Sequence, residues 1–333
     1  MTFVYNPFDI YTMMGVVERF PHFPGLFKEL FFSKRNALET NTVELELVVG
    51  GKEVIPVVSE VSRGKVVDAT SRESRIVKAP RLRPKLPYSG ADLLKEKVPG
   101  TAPSSPGAPM DRVEAKLAAD LKNLDDRLEL TYELYCAMAL TGEITLSGED
   151  AKVHIDYLMP ADNKLALSGT ALWSDPGADP EGQFEDWYNV ILEASSCGMD
   201  TVVLGTNAWK HFRDRIADKL DNRRLDVGEL SPRVKSLYKG NVNGVDIYVY
   251  GGTYQEDGVA KQLLHPDYAV AGSRSSDNSI EFGLPNDLKC PGPCEKFVKT
   301  YEENDPSALF VLMESRPVPL PKNPGAFMYN KVV

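Results

Sequence analysis

Between Val113 and Tyr135 the apolar residues recur at a spacing that only an α-helix can place on one face. Val113, Leu117, Leu121, Leu124, Leu128, Tyr132 and Tyr135 step by three or four positions, which keeps them in one stripe at 3.6 residues per turn. Asp111, with Glu114 three residues later, has the form of a capping pair at its start, and Thr141-Gly142 stops it. A helix of about 30 residues is about 45 Å long, so it must run across a whole folded unit. Two arrangements fit: a spine lying across a sheet, or one strand of a coiled coil. The segment CAMAL (136–140) is apolar all round, which suits the spine better than a symmetric seam.

The remainder is organised around that helix. At 333 residues the chain exceeds the size at which a single core usually stops growing, so two or three packed units are expected. The first 32 residues hold seven Phe. Asp9 can cap a short helix ending before Pro21, and FPGLFKELFF (23–32) reads as a second, with Leu26, Phe27, Leu30 and Phe31 on one side. That helix docks either on its own core or, as an arm, on a neighbouring molecule. VELELVV (43–49), VIPVVSEV (54–61) and KVVDA (65–69) read as strands. VPGTAPSSPGAP (98–109) is a linker. Beyond the long helix, 142–148 and 152–159 form a β meander with 164–175 as a third extended piece. ADPEGQFEDW (178–187) opens a helix, MDTVVLG (199–205) is a buried strand, and Trp209, Phe212, Ile216 and Leu220 mark the inner face of another helix. Residues 243–273 read as strand, turn, strand, strand. The last 25 residues return to strand chemistry, expected to pair with the 142–173 meander. This is an α+β or α/β pattern.

Charge is unevenly placed. The chain carries a formal −10, which opposes a protein that tracks nucleic-acid phosphates. Yet residues 71–87 hold Arg72, Arg75, Lys78, Arg81, Arg83 and Lys85 against Glu73 alone, a local +5. Pro80, Pro84 and Pro87 exclude helix and central-strand positions there. An extended basic excursion has little of its own to pack on, and isolated hairpins are marginal in water. It either stands solvated or rests on another molecule. In the second case, reversing Arg81 and Arg83 to Glu spares the free subunit and impairs association.

A search for chemistry returns little. No phosphate-binding glycine loop, dinucleotide fingerprint or zinc-protease helix is present. His22, His154, His211 and His265 are scattered. Glu181, Glu185 and Asp186 read as a solvated first turn that suits the helix dipole. Cys290 and Cys294 form C-P-G-P-C, without the further pair of soft ligands that zinc needs. No catalytic, cofactor-binding or metal residues are assigned, and no cofactor is expected. There is no run of 18 apolar residues, so no membrane span, and the N-terminus lacks the features of a secretory signal. Four cysteines make no disulfide framework, so a reducing cytosol is the default. Two rival readings stay open: nucleic-acid binding through 72–85, and a hydrolase assembled in space around His265 and the carboxylates.

The order of these elements, with several local motifs, resembles the major capsid proteins of lambda-like tailed bacteriophages, the head protein E family. The motifs are PGLFKELFF (24–32), APRLRPKL (79–86), LTGEITLSG (140–148) with SGTALWSD (168–175), NAWKHFRDRIADKLDNRR (207–224) and VDIYVYGGTYQEDGV (245–259). The likeness spans residues 7–333, the C-P-G-P-C loop and the Pro-rich linker being departures. It implies an α+β fold of the Hong Kong 97 type and a non-enzymatic shell subunit. The implied division is an N-terminal arm at 1–38, an extended β loop at 39–90, a linker at 91–109 and a spine helix at 110–141. A peripheral domain would comprise 142–176 and 307–333, and an axial domain 177–306. Such subunits form hexamers and pentamers that close into an icosahedral head around double-stranded DNA, held without sequence-specific contacts. Decoration, scaffolding and portal proteins are the further partners implied, with assembly in the host cytoplasm and residence in the virion. Inter-subunit contacts are then expected at Phe27, Leu30, Phe31, Arg72, Arg75, Lys78, Arg81, Arg83 and Lys85.

Overall fold

The computed structural model describes residues 9–20, 25–48, 72–89, 109–147, 152–216, 232–256, 258–304 and 307–333. The long helix is one unbroken element, Pro109–Ala139. It begins two residues before Asp111 because proline at the first helical position has no intrahelical N–H to lose. The side chains of the capping pair lie outside the described residues. Leu117, Leu121, Leu124, Leu128, Tyr132 and Tyr135 are all buried, as are Cys136, Ala137, Ala139 and Leu140. The stripe therefore packs inside its own chain, which excludes the coiled-coil seam. Gly142, at φ +89°, ends the helix in the left-handed region, and a β-carbon there would meet Met159 at 2.8 Å. Leu121 is 1% exposed. Leu121→Ala is expected to destabilise the subunit by at least about 2 kcal/mol, read as a lower melting temperature. An unchanged melt would show that the stripe is not core.

A five-stranded mixed sheet forms the second layer. Its order is Phe327–Lys331, Tyr268–Gly272, Thr201–Leu204, Val245–Val249 and Tyr238–Val242. Only the Thr201–Leu204 and Val245–Val249 pair is parallel. Strand alternation divides the side chains between two cores. Val203, Tyr248, Val270 and Phe327 join the larger core with the spine helix and the N-terminal helices. Val202, Leu204, Ile247, Ala269, Ala271 and Met328 join a second core. There Trp173, Phe184, Trp187 and Phe212 pack ring against ring, with centroids 5.1–6.2 Å apart. With both faces covered, TVVL (201–204) is apolar without alternation, as expected for a strand buried on both sides.

The N-terminal helices belong to this body. Asp9 caps Ile10–Val17 by accepting the Tyr11 and Thr12 amides. In Leu26–Phe31, the residues Phe27, Leu30 and Phe31 are buried in their own chain. Phe27 meets Tyr250 edge-on at 5.2 Å, and Phe31 meets Phe327 in the same way at 5.2 Å. The residue pattern left their own core or a neighbour open, and the resemblance implied a neighbour. Tyr250, just past a sheet strand, and Phe327 supply the partners of Phe27 and Phe31, and the apolar area of all three is already removed from water.

The C-terminal pairings meet the expectation in part, since Lys331 bridges Ala166 in the third extended piece of the meander. The meander is a separate hairpin, Glu143–Ser147 with Lys152–Asp156. The last strand, Phe327–Lys331, has Tyr268–Gly272 as its ladder partner and does not join that hairpin. Met328 and Phe327 fill opposite faces of that sheet, a burial that the two-stranded hairpin could not give them. Residues 165–173 run irregularly along the terminal strand, where the Leu167 and Trp173 amides donate to the Lys331 and Val332 carbonyls. Ser307–Glu314 pairs with Phe297–Asn304 and with Lys85–Ser89, and Pro317–Leu320 pairs with Ser279–Phe282. Among the described residues no helix is long and apolar enough to cross a membrane.

Candidate interaction site

The basic segment has two parts with different surroundings. Thr42–Val48 pairs antiparallel with Arg72–Lys78, from Thr42 opposite Lys78 to Val48 opposite Arg72. The expected strands at 54–61 and 65–69 lie outside the described residues, as does the side chain of Arg72. On Arg72–Lys78 the alternation turns Ile76, 75% exposed, and Lys78 toward solvent. Arg75 stands 3.9 Å from Asp156 on the meander hairpin. Together with Lys152, Lys78 and Arg81 border a cleft whose walls include Val77, Ala79, Pro80 and Val153. Buried Arg316, with Asn286 and His154, completes a lining that mixes apolar and basic side chains.

The second part is not a free excursion. Lys85–Ser89 is an edge strand on Ser307–Glu314, and Pro87 is accommodated because an edge strand has one unpaired side. Leu82 exchanges both backbone hydrogen bonds with Ser315, at 2.9 and 3.0 Å. The Arg81 guanidinium donates to both carboxylate oxygens of fully buried Glu314, at 2.9 and 2.7 Å. Arg83 lies 3.4 Å from Glu314 and 3.9 Å from Asp287, and Arg316 adds a contact at 3.2 Å. Lys85 sits over the Phe310 ring at 5.1 Å. Arg81 and Arg83 were expected to wait for a neighbour. They are engaged within the chain because Glu314 could not be buried without cations. Burial alone would raise the Glu314 carboxyl, and the Arg81 and Arg316 guanidiniums outweigh it, holding it below its ordinary value.

A larger charged cluster lies along the spine helix, and the sequence reading missed it. Asp125, Glu129 and Glu133 are buried, each directly following a residue of the apolar stripe. Arg35 forms two hydrogen bonds to Glu129, both 2.9 Å, while Lys28 and Lys296 reach the same carboxylate at 2.6 and 2.7 Å. Lys296 also bonds Asp125. Glu133 caps the helix Leu26–Phe31 from outside, accepting the Phe27 and Lys28 amides at 2.9 and 3.1 Å. Gly25 is required there, since a β-carbon would sit 2.2 Å from the carboxylate. Burial pushes the Glu133 carboxyl above its ordinary value, which Lys28 and the two amides offset only in part. This cluster welds the helix Leu26–Phe31 and the strand Lys34–Ala37 to the spine. The clue was the spacing of four among three acids beside an apolar row.

The residues considered for catalysis are not brought together. Glu181 accepts from Asn243 at 3.0 Å, while Glu185 borders a cleft with Tyr188 and Asn189. His265 borders a different cleft against Leu134 and Met138 of the spine, and stacks edge-on with Tyr268. His154 lies 3.1 Å from the Thr145 hydroxyl on its own hairpin and borders the cleft beside Lys78. Among the described residues no three His, Cys, Asp or Glu groups are arranged to hold a metal ion.

Residues 9–332 match the family described as phage major capsid protein E. This chain belongs to that family. The major capsid protein of Enterobacteria phage P21 is 26% identical over 341 residues, covering 96% of this chain and 97% of that one. The major capsid protein of Escherichia phage lambda is 25% identical over 320 residues, covering 92% and 93%. A prophage capsid protein of Escherichia coli CFT073 has a solved structure that superposes with a TM-score of 0.76 at 18% identity, covering 98% and 99% of the two chains. The α+β fold, with its long spine, is thus the Hong Kong 97-type capsid fold. For a capsid protein E chain, the spine cluster and the Glu314 network are internal scaffolding. Ile76 and Lys78 remain exposed, with the cleft beside them.

Proposed function

We infer that this chain is a major capsid protein, the repeating wall subunit of a tailed-phage head. The family match across nearly the whole chain carries this reading. Shell closure in hexamers and pentamers around double-stranded DNA follows from it as part of the proposal, as do host-cytoplasmic assembly and scaffolding, portal or decoration partners. The proposed division keeps the arm at 1–38, the loop at 39–90, the spine at 110–141, and peripheral and axial units on either side of residue 176. The strands of 307–333 pair within the axial sheets as well, so the two units share backbone hydrogen bonds. A net charge of −10 suits a wall that must confine DNA without gripping it, since every phosphate contact would have to be broken at ejection. The nucleic-acid alternative loses its main support, because Arg81 and Arg83 already face Glu314.

The basic strand Arg72–Lys78 gives the reading its physical detail. Its outward face, Ile76 and Lys78, offers an apolar and a cationic contact to the acidic surface of the next copy, where such complementarity sets orientation more than raw affinity. Ile76→Ser combined with Lys78→Glu is expected to leave the subunit's melt within about 0.5 kcal/mol of wild type, as for surface changes generally, while sharply lowering the yield of shells seen by negative-stain microscopy. Wild-type protein that stays monomeric at high concentration, with its scaffolding partner present, would refute the function. Normal shells from the double variant would refute only the role of this face.

A further inference from the structure

The C-P-G-P-C loop is absorbed neither by the fold's scaffolding nor by the capsid reading. The Cys290 and Cys294 sulfurs are 3.9 Å apart, both partly buried, and the Cys290 thiol also points at the Gly292 carbonyl at 3.2 Å. The turn is built to keep them there. The Cys290 amide donates to the Asp287 carbonyl at 3.0 Å, and the Lys289 amide to the Asp287 side chain at 3.1 Å. Pro291 and Pro293 fix two of the three intervening φ angles. Both ends are tied to the body. Asp287 is held by Lys299 and faces Arg83. At the other end the Glu295 carbonyl accepts the Ser315 hydroxyl at 2.7 Å, and Lys296 enters the spine cluster. The loop is thus tied to the body on both sides of the two sulfurs. Two thiols without a third ligand make a poor zinc site, but thiols held this close need only a small side-chain adjustment to reach the bonding distance of about 2.0 Å.

We propose that Cys290 and Cys294 are a modification site: a dithiol that a small-molecule disulfide converts to an intrachain disulfide. The Cys290 thiolate attacks one sulfur of oxidised glutathione, breaking its S–S bond and forming a mixed disulfide. The first glutathione thiolate leaves and takes up the proton that Cys290 lost. The Cys294 thiolate then attacks the Cys290 sulfur and expels the second glutathione. Two protein thiols are oxidised and one glutathione disulfide is reduced to two thiols. Burial, with the neighbouring Cys290, pushes the Cys294 thiol up to about 12. Burial still disfavours the Cys294 thiolate once Cys290 is in the mixed disulfide, so the closing step quickens as pH rises. Cys136, fully buried in the spine, and Cys197, beyond the helix Pro180–Ser195, have no thiol neighbour among the described residues and serve as internal references. This inference does not depend on shell formation.

The test uses the purified full-length chain at pH 8 in mixtures of reduced and oxidised glutathione, quenched with acid, alkylated and mapped by mass spectrometry. The expected product is a single peptide linking Cys290 to Cys294, lighter by two hydrogens, with Cys136 and Cys197 recovered as alkylated thiols. At equilibrium the linked fraction in the folded chain exceeds that in urea by at least several-fold, because the fold holds the sulfurs together. Cys294→Ser is expected to stop at a stable glutathione adduct on Cys290. Recovery of both thiols unlinked, a persistent glutathione adduct in wild type, or a linked fraction no higher in the folded chain than in urea would overturn the proposal.

Discussion

Glu129→Gln is expected to destabilise the isolated subunit by about 3–5 kcal/mol, the range for breaking a buried ion pair from one side. Glu129 is fully buried and is the common acceptor for Lys28, Arg35 and Lys296. Removing its charge leaves three cations facing Asp125, Glu133 and the half-exposed Glu295. Arg35 registers the pairing most clearly: burial works against its charge, and the Glu129 hydrogen bonds outweigh that, so its proton is held more tightly than usual. Glutamine keeps the shape but can accept at only one atom, and its amide group would point donors at donors. The check is urea unfolding followed by circular dichroism. The midpoint should fall with an unchanged slope, while Glu185→Gln, on an exposed helix face, shifts it by less than about 0.5 kcal/mol. A loss below about 1 kcal/mol for Glu129→Gln would mean that water reaches the cluster. Deleting every charge of the cluster together is a different experiment, since a packed apolar replacement can match a buried ion network.

That cluster also shows where sequence reasoning stops. The apolar stripe of the spine was legible because a helix repeats its geometry locally, so Leu117 to Tyr135 predict their own burial. Asp125, Glu129 and Glu133 follow Leu124, Leu128 and Tyr132 in register, but a charge beside an apolar row ordinarily marks the solvated flank. What buries these three is a set of cations 94–171 residues away in sequence, and no local period encodes that. The Phe-rich start shows the same limit. Its density demands burial, but whether Phe27 and Phe31 enter their own core or a neighbour's depends on Tyr250 and Phe327, more than 200 residues on. Terminal strand pairing was legible only in part, toward residues 165–173 and not toward Tyr268–Gly272, because alternation fixes which residues share a face but not which strand they meet. The interaction surface was legible as charge. Only the fold separated Lys78, which faces solvent, from Arg81, which does not act alone.

For that reason Arg81→Glu is expected to weaken the free subunit, where the sequence alone implied that the subunit would be spared. The substitution removes two hydrogen bonds to Glu314 and sets a second carboxylate beside one that is fully buried. Arg81 itself is 39% exposed, so solvent screens part of the interaction. Arg83 and Arg316 remain to share the load. The like-charge contact acts in the opposite direction, and the expected loss is about 3 kcal/mol, near the low end for one-sided rupture of a buried pair. The pH dependence identifies the cause. Glu314 has a folded-state value below the ordinary 4.5, so its stabilisation is present in full above that value and is lost as pH falls through the folded one. Wild-type urea midpoints should therefore decline as pH drops below about 4.5, with a steeper decline than in Arg81→Ala, where the main partner holding the value down is gone. Equal acid sensitivity in the two proteins would show that Arg81 does not set the Glu314 carboxyl. Shell assembly by Arg81→Glu is then no clean test of an interface, because any deficit begins with a subunit already weakened at its own edge strand.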